Sequence, residues 1–211
     1  MRSRDITTLK MSWKLAFFVV GFFCPWCIFA EERASNTLWK KYLSDSEAVC
    51  NDNSRATFYI GPKLSNKWIV FFESGGFCAS FEDCNKRYMN ENSTVLMTSN
   101  LLPDKVTGKD LLSTSKSENP TFHDYIHVLV PYCTSDLWLG LKGNPKKPFH
   151  FVNDPSVDNF SFRGQTIFRS VFEDLLRRHN FSKAEEIVLS GSSAGAIGVL
   201  NHAAWVLTEY F

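Results

Sequence analysis

Residues 188–200 read VLSGSSAGAIGVL, an apolar run that is interrupted by small residues and then resumes. The interruption, GSSAG at 191–195, matches the pattern G-x-S-x-G with Ser193 at its centre. In this pattern a sharp strand-to-helix turn exposes the serine hydroxyl above a sheet, and the flanking glycines let strand and helix approach closely. Ile187 to Leu189 favour a strand before the turn, and residues 194–210 favour an apolar helix after it. The stretch therefore predicts a nucleophile elbow that carries Ser193.

A nucleophilic serine also needs donors for the oxyanion that forms when it attacks a carbonyl. The amide of Ala194, at the start of the predicted helix, is one such donor, because helix N-termini favour negative charge. The segment ESGGFC at 73–78 follows a predicted strand and is rich in glycine. Glycines allow close approach of the backbone to a ligand, so the amides of Gly76 and Phe77 are candidates for the remaining donors. An ordinary turn after a strand is the alternative for this segment.

The rest of the chain favours an α/β fold. Apolar strands are predicted at 57–60, 67–73, 125–133 and 185–190, and an amphipathic helix at 162–180. Residues 37–46 read as helical or irregular, and residues 81–120 as loops with short helices. The order strand, helix, strand, turn, helix predicts a mostly parallel sheet with flanking helices, as in α/β-hydrolases. Residues 31–211 are expected to be the N-terminal portion of one such domain, incomplete on its C-terminal side.

The N-terminus has the pattern of a secretory signal peptide. Basic residues precede an apolar stretch at 15–30, and the acidic sequence EER follows. The apolar stretch is shorter than the roughly 20 residues that span a bilayer. Residues 1–30 are therefore predicted to be cleaved after Ala30, which leaves no stable membrane span; an uncleaved anchor is the alternative. The sequons at Asn92, Asn159 and Asn180 fit a secreted, glycosylated chain.

The cysteines that follow the predicted signal peptide also indicate an oxidising compartment. Four remain, at Cys50, Cys78, Cys84 and Cys133. Cys78 and Cys84 are close enough in sequence to close a small loop, and Cys50 with Cys133 would then close a long one. A zinc site is disfavoured because the spacing has no C-x-x-C pair, and neither a metal nor another cofactor is predicted.

Composition excludes some partners. The chain of 211 residues has a formal net charge of +1. There is consequently no bulk electrostatic case for binding nucleic acid or an anionic membrane.

Four separated segments resemble one known family, the Notum and pectin acetylesterase family of secreted serine carboxylesterases. They are CNDNSRATFYI at 50–60, FFESGGFC at 71–78, NPTFHDYIHVLVPYCTSDLWLG at 119–140 and VLSGSSAGAIGVLNHAAWV at 188–206. The resemblance implies that Ser193 is the nucleophile and that the amides of Gly76, Phe77 and Ala194 form the oxyanion hole. It also implies the disulfides Cys50–Cys133 and Cys78–Cys84.

The GSSAG form is closer to the animal Notum branch of this family. Members of that branch remove a palmitoleate ester from a serine of Wnt proteins and so silence the signal. The resemblance thus implies a lipidated secreted protein as substrate. Two positions depart from the branch: Phe77 stands where Trp is usual, and Ala196 where Gly is usual. The first departure bears on the shape of the acyl pocket, and the second on packing behind the elbow.

The base and acid of a catalytic triad are harder to place. In α/β-hydrolases both follow the nucleophile in the chain, and after Ser193 only His202 and Glu209 remain. His202 lies two and a half turns along the predicted helix, about 13 Å from its start. The other histidines precede Ser193 and are expected to be packing or surface residues, and Asp136 is expected to accept hydrogen bonds in an Asx turn or cap. We therefore expect this chain to be truncated before the triad Asp and His, and inert alone.

Two other functions remain open at the level of sequence. One is a pectin-acetylesterase-like enzyme that removes acetyl groups from a polysaccharide. The other is a non-catalytic secreted module that keeps the fold and uses its pocket to bind lipid.

Overall fold

The computed structural model describes residues 35–146, 149–150 and 160–210. The predicted signal peptide and the sequon at Asn159 lie outside these residues. Within them, six strands form one sheet in the order β4-β1-β2-β5-β3-β6. The strands are β1 (Thr37–Tyr42), β2 (Thr57–Ile60), β3 (Lys67–Phe72), β4 (Lys105–Thr107), β5 (Ile126–Val130) and β6 (Glu186–Gly191). The helices are α1 (Phe81–Met89), α2 (Glu91–Thr94), α3 (Gly164–Arg178) and α4 (Ala194–Tyr210).

The strands that carry the candidate site form the parallel part of this sheet. β3 lies between β5 and β6 and pairs with both in parallel, so that Val70 is opposite Val128 on one side and Leu189 on the other. The continuous apolar sequence KWIVFF of β3 follows from this position, because a central parallel strand is covered on both faces. The predicted α/β-hydrolase-like fold is confirmed. The sheet is mixed and not mostly parallel as predicted, because β1, β2 and β4 are antiparallel to their neighbours: within the described residues, three strand pairs are antiparallel and two are parallel.

The prediction of a helical or irregular segment at 37–46 is wrong for residues 37–42, whereas residues 43–46 are irregular. Thr37–Tyr42 form strand β1, which pairs with β2 through Trp39 and Ile60 and with β4 through Leu38 and Val106. Only Leu38 of this strand is fully buried, so its side chains lack the alternation that identifies a strand in sequence. The segment 81–120 does contain the predicted short helices α1 and α2, but β4 within it joins the sheet.

Helices α3 and α4 share an apolar core with one face of the sheet. The predicted amphipathic helix at 162–180 is present as α3, and its apolar side chains pack inward: Ile167, Phe168, Val171, Phe172 and Leu175 are fully buried, and Leu176 is partly buried. Phe168 stacks on Phe72 of β3, with ring centroids 4.2 Å apart. This packing fixes the C-terminal end of β3, where the candidate site lies. No helix in the described ranges combines the length and the apolarity that a membrane crossing requires.

Both predicted disulfides are present. Cys78–Cys84 closes a loop between β3 and α1, and Cys50–Cys133 joins residues 83 apart in sequence, with 5.0 Å between Cα atoms. A loop of this length is expected to contribute about 4–5 kcal/mol through the entropy of the unfolded chain. The amide of Asn51 also donates to the carbonyl of Cys133, at 2.9 Å. The long disulfide therefore anchors the segment after β5, which forms one wall of the candidate site.

Candidate active site

Ser193 lies at the sharp turn between β6 and α4. Its φ is +49°, in the left-handed region that residues other than glycine seldom adopt. The turn is closed by a hydrogen bond of 2.8 Å from the amide of Gly195 to the carbonyl of Ser192. The amide of Ser192 donates to the carbonyl of Phe72, at 3.2 Å, and so docks the turn on the end of β3. The side chain of Ser193 is exposed. Backbone strain of this kind is typical of functional sites.

The two glycines that flank the turn are required by close backbone contacts. A Cβ added at Gly191 would lie 2.5 Å from the carbonyl carbon of Gly195. A Cβ added at Gly195 would lie 2.6 Å from the carbonyl carbon of Phe72 and 2.8 Å from the carbonyl oxygen of Glu73. Real Cβ contacts are not this short, so both positions need glycine. The local geometry is that of the predicted nucleophile elbow.

The candidate nucleophile and the candidate oxyanion donors have no hydrogen-bond partner among the described residues. The Oγ of Ser193 and the amides of Gly76, Phe77 and Ala194 make no hydrogen bond with any residue in the described ranges. Ala194 is the first residue of α4, where amides have no acceptor within the helix. Gly76 has a φ of +68°, which glycine adopts at little cost. These amides remain the predicted donors of an oxyanion hole.

The segment 73–78, here called the oxyanion loop, is fixed against the segment 134–138. Phe77 pairs with Asp136 in an antiparallel bridge, and the amide of Cys78 donates to the carbonyl of Ser135 at 3.2 Å. The indole of Trp138 donates to the carbonyl of Glu73, at 3.3 Å. Trp138 is fully buried and also packs against Gly198 of α4. One side chain thus contacts both the oxyanion loop and the helix that follows Ser193.

Asp136 has the structural role that the sequence predicts. Its Oδ1 accepts from the hydroxyl of Thr134 at 2.7 Å and from the amide of Trp138 at 3.0 Å. Its Oδ2 accepts from the amides of Gly140 at 3.2 Å and Gly164 at 2.7 Å, the latter at the start of α3. Burial raises the pKa of Asp136, and these hydrogen bonds act in the opposite direction. Its carboxylate oxygens are engaged in supporting the loop.

Asp136→Asn is expected to lower the free energy of unfolding by about 2 kcal/mol, because an amide nitrogen would then face buried donors. Chemical denaturation of the variant measures this change. The matched control is Asp104→Asn, whose side chain is 92% exposed in an ion pair with Lys40. That change is expected to cost under about 1 kcal/mol, because the carboxylate of Asp104 lies in solvent and the Nζ of Lys40 keeps its hydrogen bond to the carbonyl of Leu102. Equal effects of the two substitutions would contradict the role given to Asp136.

No histidine forms a hydrogen bond with Ser193, although all five lie in the described ranges. His202 is buried in α4, where its Nε2 lies 2.9 Å from the carbonyl of Trp138 and its ring packs against Phe168. His127, in β5, has its Nε2 2.7 Å from the carbonyl of Phe122, and burial lowers its pKa.

The other three histidines have surroundings of their own. His179 follows α3 and meets the ring of Phe58 edge-on, and burial is the main cause that lowers its pKa. His123 precedes β5, and His150 is exposed. The described residues therefore contain a candidate nucleophile and candidate oxyanion donors, and no histidine among them forms a hydrogen bond with Ser193.

A cavity of about 380 Å³ opens on the sheet face opposite α3. Glu73 is part of its wall, and it directly follows Phe72, on whose carbonyl the elbow docks. Burial raises the pKa of Glu73, while a hydrogen bond from the amide of Tyr132 acts in the opposite direction. The other walls are mostly apolar and include Leu38, Phe71, Leu112 and Leu129.

Comparison with known proteins agrees with this geometry. The sequence profile of the pectinacetylesterase family matches residues 31–208. The chain therefore belongs to the pectinacetylesterase family.

Among similar proteins are palmitoleoyl-protein carboxylesterases. Notum2 of Xenopus laevis is 34% identical over 171 residues, which are 81% of this chain and 32% of that protein. NOTUM of Homo sapiens is 35% identical over 159 residues, 75% of this chain and 29% of that protein. NOTUM of Drosophila melanogaster is 34% identical over 168 residues, 79% of this chain and 24% of that protein. The chain spans about a third or less of the length of these relatives.

Proposed function

We propose that this sequence belongs to a secreted serine carboxylesterase of the Notum type, which hydrolyses the palmitoleate ester on Wnt proteins and lowers Wnt signalling. The observation that carries the proposal is the elbow: Ser193 is exposed, has a φ of +49° and immediately precedes α4. The names of the relatives supply the substrate class. Their greater length leaves room for the base and acid, so we assign the activity to a longer polypeptide that contains this sequence.

In the proposed reaction, the Oγ of Ser193 attacks the carbonyl carbon of the ester and loses its proton to a histidine base. The amides of Gly76, Phe77 and Ala194 donate to the oxyanion of the tetrahedral intermediate. Collapse of the intermediate releases the serine hydroxyl of the substrate, with a proton from the same histidine, and leaves the acyl group on Ser193. Water then releases the fatty acid by the same steps. The chemistry needs no metal and no other cofactor.

Secretion is part of the proposal, with residues 1–30 as the signal peptide. The two disulfides fit an oxidising compartment. Asn92 and Asn180 are exposed, as an acceptor of a glycan must be, and Asn159 completes the proposed set. The intact mass of secreted protein, measured before and after glycosidase and reductant, tests these points together. A mass equal to that of residues 1–211 without glycan would contradict them.

The proposed substrate is tested by acyl-chain preference. The longest polypeptide that contains this sequence is assayed on acetyl and octanoyl esters and on a peptide with a palmitoleoylated serine. We expect the value of kcat/KM to rise with acyl length and the palmitoleoyl peptide to be deacylated. Preference for acetyl esters, above all on acetylated polysaccharide, would instead favour the pectin acetylesterase alternative.

Phe77 is expected to help form the mouth of the acyl pocket, since it follows Gly75 and Gly76 in the oxyanion loop and is 59% exposed. Burying a phenylalanine side chain contributes about 1.5–3 kcal/mol, so Phe77→Ala should lower kcat/KM for long-chain esters about 10- to 100-fold. Turnover of an acetyl ester should change much less. Trp39→Ala, which removes another exposed aromatic ring on the remote strand β1, is the matched control. Equal loss on short and long esters would contradict the role of Phe77.

The cavity beside Glu73 favours one second candidate, a lipid-binding module without catalysis. Its volume of about 380 Å³ lies within the usual range for small-ligand pockets. Binding of a fluorescent fatty acid to the Ser193→Ala variant, with no ester turnover by any longer form, would favour this candidate. Ester turnover that depends on Ser193 would exclude a function limited to lipid binding.

A further inference from the structure

Besides Trp138, which donates to Glu73, two side chains hold the carbonyl groups of the two glycines in the oxyanion loop. The guanidinium of Arg87, in α1, donates to the carbonyl of Gly75. The hydroxyl of Tyr132, just after β5, donates to the carbonyl of Gly76 at 2.7 Å. No sequence pattern marks either residue as part of a site. Neither forms a hydrogen bond with Ser193 in the described ranges.

These carbonyls belong to the peptide units that supply the predicted oxyanion donors. A peptide unit is planar and trans, so the carbonyl of one residue and the amide N–H of the next point in opposite directions. Holding the carbonyl of Gly75 therefore sets the direction of the Gly76 amide. Holding the carbonyl of Gly76 sets that of the Phe77 amide in the same way.

We propose that Arg87 and Tyr132 are positioning residues, each of which aims one backbone amide at the oxyanion. This inference rests on the proposed function, because it assigns the purpose of the two amides. Positioning residues are needed because the loop contains Gly75 and Gly76, and glycine restricts the backbone dihedral angles less than any other residue. Without an external hydrogen bond, the peptides that flank Gly76 would sample several orientations. An oxyanion hole is effective because its donors are oriented before the reaction begins.

Tyr132 is itself held firmly. It is 1% exposed, and its hydroxyl accepts from the amide of Leu137 at 2.8 Å while it donates to Gly76. Its ring lies against Gly75, where an added Cβ would be 2.7 Å from Cε1. Burial raises the pKa of Tyr132, so the hydroxyl keeps the proton that it donates. A donor on a rigid ring can hold a peptide in one orientation.

Arg87 approaches the loop from α1. The disulfide Cys78–Cys84 ties the end of the oxyanion loop to this helix, three residues before Arg87 in the chain. The Nη1 of Arg87 lies 3.8 Å from the position that a Cβ on Gly76 would occupy. A charged donor on a carbonyl also polarises the peptide unit and strengthens its N–H as a donor. Arg87 is therefore suited both to orient the Gly76 amide and to increase its donor strength.

The first test needs no catalytic activity and uses the 211-residue chain. N–H residual dipolar couplings report the orientation of each amide. We expect Tyr132→Phe to change the coupling of Phe77, and Arg87→Gln to change that of Gly76, while the coupling of Ala194 stays the same in both variants. The matched controls are Tyr59→Phe, where a buried hydroxyl donates to the carbonyl of Pro103, and Arg55→Gln, where a guanidinium donates to the carbonyl of Leu43. Unchanged couplings for Gly76 and Phe77 in the test variants would overturn the inference, whatever the activity of the protein.

The second test uses the longer polypeptide that hydrolyses esters. Tyr132→Phe and Arg87→Gln should each lower kcat about 10- to 100-fold with KM nearly unchanged, because misplaced donors cost about that much. Affinity for a boronate that mimics the tetrahedral intermediate should fall in parallel. Arg87→Gln should regain activity when guanidinium is added at concentrations that leave the wild type folded.

The outcomes of the two tests separate the inference from the proposed function. Reoriented amides with unchanged kcat and boronate affinity would overturn the positioning role. Reoriented amides in a protein of which no form hydrolyses esters would overturn the proposed function, and would support the assignment of Arg87 and Tyr132 to these peptide units.

Discussion

Ser193→Ala in the proposed longer esterase is expected to reduce kcat for ester hydrolysis about a million-fold, as removal of the nucleophile does in a well-studied serine protease. The reason is that no acyl-enzyme can form, so the two easier steps of the covalent route are replaced by direct attack of water. The oxyanion donors would remain, since they belong to the backbone. Residual catalysis should therefore stay measurable above the uncatalysed reaction.

Ser192→Ala is the matched control for this substitution. Ser192 is the adjacent hydroxyl and is also exposed, but its contacts with β3 and α4 are made by its backbone. The kcat of Ser192→Ala should stay within about threefold of the wild-type value. Surface substitutions usually change the free energy of unfolding by about 0.5 kcal/mol or less, so the site should keep its geometry. A large loss of activity in Ser192→Ala, with activity kept in Ser193→Ala, would show that Ser192 and not Ser193 is the nucleophile.

The elbow itself depends on Gly195. Gly195→Ala is expected to lower the free energy of unfolding by about 3 kcal/mol, since its Cβ would overlap backbone atoms and force a shift of strand or helix. The atoms in question are the carbonyl groups of Phe72 and Glu73, at the end of β3. Thermal or chemical denaturation measures the change. The shift would also move Ser193 relative to the oxyanion loop, so activity should fall with stability.

A matched control exists in the same sheet. A Cβ added at Gly61 would meet the backbone and Cβ of His127 only at 3.6–3.9 Å, which is ordinary van der Waals contact. Gly61→Ala should therefore leave stability within about 1 kcal/mol of wild type or raise it slightly. If Gly195→Ala were as well tolerated as Gly61→Ala, the close packing of strand and helix at the elbow would be contradicted.

The parts of the fold that sequence predicted well are those with strong local patterns. The stripe of α3 repeats at helical spacing, and β3 is apolar because it is buried between two parallel neighbours. The elbow is recognisable because its two glycines flank the serine at fixed spacing, although only Gly191 is required by a near neighbour, Gly195, whereas Gly195 is required by Phe72 and Glu73 at the distant end of β3. In each case the residues that respond to the constraint are close together in sequence, so they form a recognisable local pattern even where their partners are distant.

The features that sequence missed are held by distant partners. β1 is a strand because β2 and β4 pair with its backbone, and its own side chains carry little sign of this. Tyr132 and Arg87 hold the carbonyls of Gly76 and Gly75, across 56 and 12 residues of sequence. Hydrogen bonds to backbone carbonyls require no residue type at the acceptor. The one available signal was that Tyr132 and Gly76 both lie in the segments that resemble the family.

Labelling with a fluorophosphonate tests the central proposal. This proposal is that Ser193 is the nucleophile and that its histidine base lies outside the described residues. The probe is added to the 211-residue chain and to the longer polypeptide, and the modified residue is located by mass spectrometry of the peptides. We predict rapid modification of the longer form at Ser193, its loss in Ser193→Ala, and little modification of the 211-residue chain. Rapid labelling at Ser193 in the 211-residue chain would show that one of its own histidines is the base. Failure of the longer form to react at Ser193 would contradict the assignment of the nucleophile itself.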